Sequence, residues 1–153
     1  MLSNKEDRSM VKHFDHVTLV VRDMEEATRF FALLGFKVDI DVIISGGVIA
    51  EYMGIEGIEA RHVTMVLAGS PVRQEIQLVK YHHPDPFPDP HMNDLNKVGY
   101  NHVCFAVEDI EAEVERLKAH GVKFRNKIMA FHSRKLIYFY GPEGVTLELA
   151  QWH

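Results

Sequence analysis

One phrase is written twice in this chain. The stretch FDHVTLVVRDMEEATRFFALLGFKV at 14–38 returns as YNHVCFAVEDIEAEVERLKAHGVKF at 100–124. A constant offset of 86 superposes His16 on His102, Val17 on Val103, Val21 on Val107, Asp23 on Asp109, Glu25 on Glu111, Gly35 on Gly121 and Lys37 on Lys123 without a gap. A phrase that keeps its punctuation over this length is a duplicated supersecondary unit.

Each copy reads as a strand followed by a helix. In the first, Val17, Leu19 and Val21 alternate with His16, Thr18 and Val20, the period of two that a strand with two unlike faces requires. Asp23 is placed to cap the helix, with Glu26 three residues on as the partner of a capping box. Ala27, Phe30, Phe31 and Leu34 then recur at helical spacing and Gly35 ends the run. In the second copy Asp109 caps, Ile110, Val114 and Leu117 form the stripe, and Gly121 stops it. The helix packs on the Val103, Phe105, Val107 face, so His102, Cys104 and Ala106 point the other way.

The segment after each helix is rich in strand formers. Strands are expected near 37–44, 62–67 and 75–81 in the first half and near 125–129, 135–140 and 145–151 in the second. The fold class is therefore α+β, two tandem βαβββ modules. Module 1 spans about 13–81, a linker about 82–99 and module 2 about 100–153, in one domain over 13–153 behind a loose tail at 1–12. The linker HHPDPFPDPHMNDLNKVG holds four of the six prolines, which exclude a central strand. His82, His83 and His91 are expected in this solvated loop. The halves differ in one place: Gly35 lies 42 residues before Gln77, whereas Gly121 lies 27 before Glu148. The difference falls on SGGVIAEYMGIEGIEA, a glycine-punctuated insertion of the kind that forms lids or binding loops.

The closing strands carry the chemistry. QEIQLVKY laid on VTLELAQW pairs Ile76 with Leu147, Gln77 with Glu148 and Leu78 with Leu149. Both place an oxygen-bearing side chain between two core-facing apolar residues. His16, Gln77, His102 and Glu148 thus fall at equivalent points on the strand faces opposite the helices. Two imidazoles, a carboxylate and an amide oxygen suit a borderline divalent ion. Glu75, two residues earlier on the same face, competes with Gln77, because a bulge or a register change would exchange them. Cys104 shares this face and reads as a small wall residue.

Composition removes other classes. At 153 residues the chain buries roughly 68–70% of its unfolded surface, so no metal or disulfide is needed merely to fold. A net charge of -5 and a pI of about 6.0 argue against nucleic acid as a partner. The single cysteine excludes an internal disulfide. The N-terminus MLSNKEDRSMVKH is too charged for a signal peptide, and no long apolar run offers a membrane span, so a cytoplasmic location is expected.

The phrases DHVTLVVRDMEEA, NHVCFAVEDIEAEVERLKAHGV and FYGPEGVTLELAQ resemble the vicinal oxygen chelate superfamily, whose members include glyoxalase I, methylmalonyl-CoA epimerase, extradiol dioxygenases and bleomycin-resistance proteins. The resemblance covers about 14–152. It implies two modules facing each other around an open barrel-like cleft, with one divalent metal ion per subunit (Zn, Ni, Co, Mn or Fe) held by His16, Gln77, His102 and Glu148. That His, Gln, His, Glu set is similar to that of methylmalonyl-CoA epimerases. It also implies a homodimer and a small-molecule substrate with two neighbouring oxygens, whose enolate the metal would stabilise. For the catalytic base it offers Glu148, doubling as ligand, with Glu51 and Glu75 as separate candidates. An extradiol dioxygenase would instead use His16, His102 and Glu148 as an Fe(II) triad, and a bleomycin-resistance-like binding protein would need no metal. Arg61, Arg73, Arg125, Arg134 and Lys135 are available to anchor an anionic substrate.

Overall fold

A computed structural model describes residues 10–153, so most of the expected N-terminal tail, residues 1–9, lies outside the described residues. The elements run β1 (His16–Val20), α1 (Met24–Leu33), β2 (Phe36–Ser45), α2 (Gly47–Met53), β3 (Glu59–Leu67) and β4 (Glu75–His83) in module 1. Module 2 holds β5 (Val103–Ala106), α3 (Ile110–Ala119), β6 (Met129–Phe131), β7 (Arg134–Tyr140) and β8 (Thr146–Trp152). Each module is a four-stranded sheet of the same topology, β1-β4-β3-β2 and β5-β8-β7-β6. The first strand of each pairs parallel with the last, and the other pairs are antiparallel.

The helix signals work as local chemistry. Asp23 accepts a hydrogen bond from the Glu26 amide at 2.8 Å, and Asp109 accepts from the Ala112 amide at 2.9 Å. Each satisfies one of the amides that a helix start leaves without an intrahelical partner. Both helices end at a glycine with positive φ, Gly35 at 94° and Gly121 at 84°, a conformation that costs glycine nothing and other residues dearly.

The two modules share one core. Met24, Ala27 and Phe31 of α1 and Ile110, Val114 and Leu117 of α3 are buried in a single cluster with Val63, Met65, Ile76 and Leu78 of one sheet and Ile137, Phe139, Leu147 and Leu149 of the other. Phe30 stacks on Phe139 with ring centroids 6.2 Å apart, and Phe36 meets Phe105 edge-on at 5.9 Å. Polar contacts join the modules as well: Arg116 of α3 donates to the Leu33 carbonyl at 2.5 Å, taking up a carbonyl that the end of α1 leaves free. Each fully buried aromatic adds about 1.5–3 kcal/mol of apolar transfer free energy.

This shared core decides where the polar faces lie. Val17 and Leu19 of β1, and Val103 and Phe105 of β5, pack against it. His16, Thr18 and Cys104, the alternate residues, are exposed. The helix-bearing faces meet, and the faces expected to carry ligands turn away from the common core.

The α+β plan of two tandem modules is as expected, and the two sheets are separate and do not close into a barrel. Three sequence expectations need correction. The insertion is not plain loop but includes the short helix α2, bracketed by Gly46 (φ 95°) and Gly54 (φ 67°); a two-turn helix with no buried residue leaves no apolar stripe to read. The strand expected at 125–129 begins only at Met129, because the Asn126 side chain accepts from the Tyr138 amide at 2.8 Å and so replaces a ladder bond. Finally, β4 runs on through His82 and His83, paired with the start of β3, so only His91 of the three histidines lies in the proline-rich loop.

Candidate metal centre

In module 2, β5 and β8 run parallel with Cys104 opposite Glu148, and His102 lies just before β5. Its Nε2 is 2.7 Å from Glu148 Oε2. Glu148 is almost entirely buried, at 6% exposure. On the other side of the ring, Nδ1 is 2.7 Å from Asn101 Oδ1; an amide oxygen only accepts, so Nδ1 donates there and Nε2 is the ring atom turned to Glu148. Two electron-pair donors at this separation need a cation between them, whether a proton or a metal ion.

Module 1 repeats the device. His16 Nδ1 is 2.6 Å from Asp15 Oδ1, which likewise fixes the proton on Nδ1 and leaves Nε2 free. Asp15 and Asn101 occupy the same position of the repeat, immediately before their histidines. Fixing a ligand imidazole through its second nitrogen is how proteins orient metal-binding histidines. The carboxyl of Asp15 is held below its ordinary range, chiefly by the hydrogen bond from His16.

The closing strand of module 1 is more crowded. His16 lies opposite Glu75 and Thr18 opposite Gln77, so Gln77 stands to His16 on the same diagonal that joins Glu148 to His102. Both ends of the Gln77 amide are engaged. Its oxygen accepts from His62 Nε2 at 3.2 Å and from the Thr18 hydroxyl at 3.4 Å, and its nitrogen donates to Glu75 Oε2 at 2.9 Å. Arg73 donates to the other Glu75 oxygen at 2.6 Å. The Gln77 amide first, and Arg73 second, lower the Glu75 carboxyl, which makes it a weak proton acceptor. Among the described residues, the one group of three or more His, Cys, Asp or Glu side chains with ligand atoms within 4.8 Å of one another is Asp15, His16 and Glu75.

The four expected donors therefore fall into two pairs on two outward faces. Their chemistry fits a divalent ion: both imidazoles present Nε2, one faces a carboxylate, and an amide oxygen lies on the diagonal from the other. Glu51 is exposed on α2, a helix with no buried residue, and the fold brings it to neither pair within the chain. Of the proposed cationic anchors, Arg61 is tied to Asp41 and Glu25, Arg73 to Asp39 and Glu75, and Lys135 to Glu111. Arg125 and Arg134 have no carboxylate partner among the described residues; Arg134 lies over the Trp152 ring at 4.6 Å, on the face that carries Glu148.

Two residues of these faces were missed in the sequence. Tyr138 pairs with Glu148 across β7 and β8 and meets the His102 ring edge-on at 5.1 Å; burial first, and the Glu148 charge second, raise its hydroxyl. His62 is the other. The signal available was the registration of β3 and β7 against the closing strands, which the repeat of strand and helix alone does not supply.

A profile of the glyoxalase/bleomycin resistance protein/dioxygenase superfamily matches residues 15–139. The chain belongs to that superfamily. A glyoxalase family protein from Bacillus cereus has the same fold, with a TM-score of 0.83 and 27% identity over 95% of this chain and 99% of its own. The uncharacterized protein YaeR of Escherichia coli (strain K12) is 25% identical over 141 residues, 91% of this chain and 95% of that protein. Glyoxalase I of Saccharomyces cerevisiae is 34% identical over 65 residues, which make up 40% of this chain but 20% of the yeast protein. The fosfomycin resistance protein of Listeria monocytogenes, solved with Mn(II) and a dihydroxypropylphosphonic acid, shares the fold at a TM-score of 0.58 and 20% identity over 94% of this chain and 95% of its own. No helix among the described residues is long and apolar enough to cross a membrane.

Proposed function

We propose that this member of the superfamily is a metal-dependent lyase or isomerase that moves a proton next to a carbonyl group of a small substrate with two neighbouring oxygens. It acts as a homodimer in which the His16 and Gln77 half of one protomer meets the His102 and Glu148 half of its partner. The observation that carries this reading is the pair of half-sites itself. Each offers an imidazole held through Nδ1 and an oxygen donor, with Nε2 of His16 free and Nε2 of His102 against Glu148, yet both faces point away from the core the modules share. A catalytic metal site commonly takes three protein ligands and keeps a position open, more than the two primary donors of either half. Exposed apolar side chains on both edge strands, Ile40, Val42 and Ile43 of β2 and Met129 and Phe131 of β6, leave surface for a second copy to cover.

When bound there, a divalent ion supplies electrostatic stabilisation to negative charge developing on the substrate's paired oxygens. The protein residues divide the remaining work. Asp15 and Asn101 hold the two imidazoles in one tautomer. Glu148 receives the proton: the substrate C–H bond breaks, its electron pair stays with the substrate, and the same carboxyl returns the proton to carbon. Glu75 is the poorer base because Gln77 and Arg73 stabilise its charge. Arg134, on the Glu148 face and without an acidic partner, is the cation best placed to hold an anionic part of the substrate.

The test is exchange of the substrate α-proton with deuterated solvent, across a panel of CoA thioesters, glutathione hemithioacetals and catechols. Exchange that needs added divalent metal and is lost in Glu148→Gln is the expected result. Oxygen uptake with a catechol would replace this reading with the extradiol dioxygenase. A protein that rebinds no divalent ion and stays monomeric by light scattering would replace it with a binding protein.

A further inference from the structure

An amide and a carboxylate pose different problems as ligands. A carboxylate offers two like oxygens, whereas an amide offers an oxygen that can bind a cation and an NH2 group that cannot. Rotating the end of Gln77 by half a turn would thus exchange a ligand for a repelling group. The surroundings of Gln77 oppose that rotation. Two donors, His62 Nε2–H and the Thr18 hydroxyl, lie at its oxygen, and an acceptor, Glu75 Oε2, lies at its nitrogen. The flipped amide would set donor against donor on one side and oxygen against carboxylate on the other.

Module 2 supplies an internal control. The register places Thr64 opposite Gln77 and His62 opposite Val79 in module 1, and Tyr138 opposite Glu148 and Leu136 opposite Ala150 in module 2. The position equivalent to His62 is therefore Leu136, which has nothing to donate. The donor is present where the ligand is an amide and absent where it is a carboxylate.

We infer that His62 is a positioning residue that keeps the Gln77 amide oxygen turned toward the metal. His62 and Thr18 both donate to the oxygen, and Thr18, at 3.4 Å, holds the longer contact. A divalent ion would need one of these two positions at the oxygen, and the shorter bond from His62, at 3.2 Å, is the one that would keep the amide's orientation. The inference rests on the proposal that Gln77 is a ligand, and the experiment separates the two.

Co2+ is titrated into the metal-free assembled protein, with affinity and the visible absorption band as readouts. His62→Ala is expected to weaken binding 10–100-fold, the range for loss of a partner that orients a ligand, and to move the band toward that of Gln77→Ala. His62→Gln, which can place an N–H near the former Nε2, is expected to restore affinity; a structural role for the ring would not be rescued this way. In the Gln77→Ala background His62→Ala should have no further effect. Wild-type affinity in His62→Ala alongside weakened binding in Gln77→Ala overturns the inference and leaves the ligand standing. An undiminished His62→Ala penalty in the Gln77→Ala background overturns it too. Wild-type affinity in Gln77→Ala removes the ligand, and His62's role with it.

Discussion

Module 1 closes its polar face with an amide, Gln77, and module 2 closes its face with a carboxylate, Glu148, at the same point of the last strand. The neighbours differ accordingly. Around Gln77 lie Thr18, His62 and Glu75, two hydrogen-bond donors and a carboxylate already held by Arg73. Around Glu148 lie His102 and Cys104, with Tyr138 opposite it in register and Leu136 one pair further along that face. The backbone plan is common to both, so the repeat predicts where the side chains stand. What they can do is set by cross-strand neighbours, which duplication leaves free to diverge.

The equivalent pair Thr18 and Cys104 gives the largest effect by which to test this contrast. Although Cys104 is exposed on its strand face, partial desolvation by the surrounding sheet, and next the charge of Glu148, push its thiol from the ordinary 9.0 to about 11. The thiolate is the reactive form, and its fraction falls tenfold for each pH unit below the pKa. At pH 8 alkylation of Cys104 in the metal-free protein should therefore run about a hundredfold slower than that of a thiol of ordinary pKa, with a rate still rising above pH 10. Placing the thiol in module 1 instead, by Thr18→Cys with Cys104→Ala, sets it beside neutral Gln77, and its rate should level off at lower pH. Equal pH profiles for the two positions would show that Glu148 does not distinguish the faces.

The repeat made the strand-helix halves legible because both rest on short-range signals: alternation in His16–Val20, a capping aspartate, a helix stripe and a glycine with positive φ. The faces proposed to carry the ligands followed from the same alternation. Three things were not legible. That the helix-bearing faces of the two modules share one core, so that the other faces turn outward, depends on contacts such as Phe36 with Phe105 between residues far apart in sequence. The environment of Gln77 depends on the β3–β4 register, which places His62 two residues from the pairing partner Thr64. And α2 is held by so little burial that no pattern announces it.

The second effect concerns the histidines. In the metal-free protein His102→Ala leaves the buried Glu148 carboxylate without its imidazole, and an unsatisfied buried polar group costs about 1–3 kcal/mol. His16→Ala exposes nothing comparable, because Asp15 is already in solvent; such surface changes stay within about 0.5 kcal/mol. Urea denaturation in the presence of a chelator measures both. The ranking should vanish if the two half-sites are equally exposed in solution, so equal losses would break the contrast between them.

The smallest effect tests the region that module 2 lacks. Helix α2 buries none of its residues, and Val48 and Tyr52 stand 81% and 84% exposed. If the protomers join through the half-site faces and leave α2 in solvent, Val48→Ser and Tyr52→Ser should each change stability by no more than about 0.5 kcal/mol, whatever the protein concentration. Folding of the single chain gains little from these side chains, so a larger loss would have to come from a partner surface. Such a loss, growing as the protein is diluted, is the mark of a contact between copies. It would move the dimer interface onto the insertion and make the asymmetry between the modules an adaptation for assembly rather than a free surface arm.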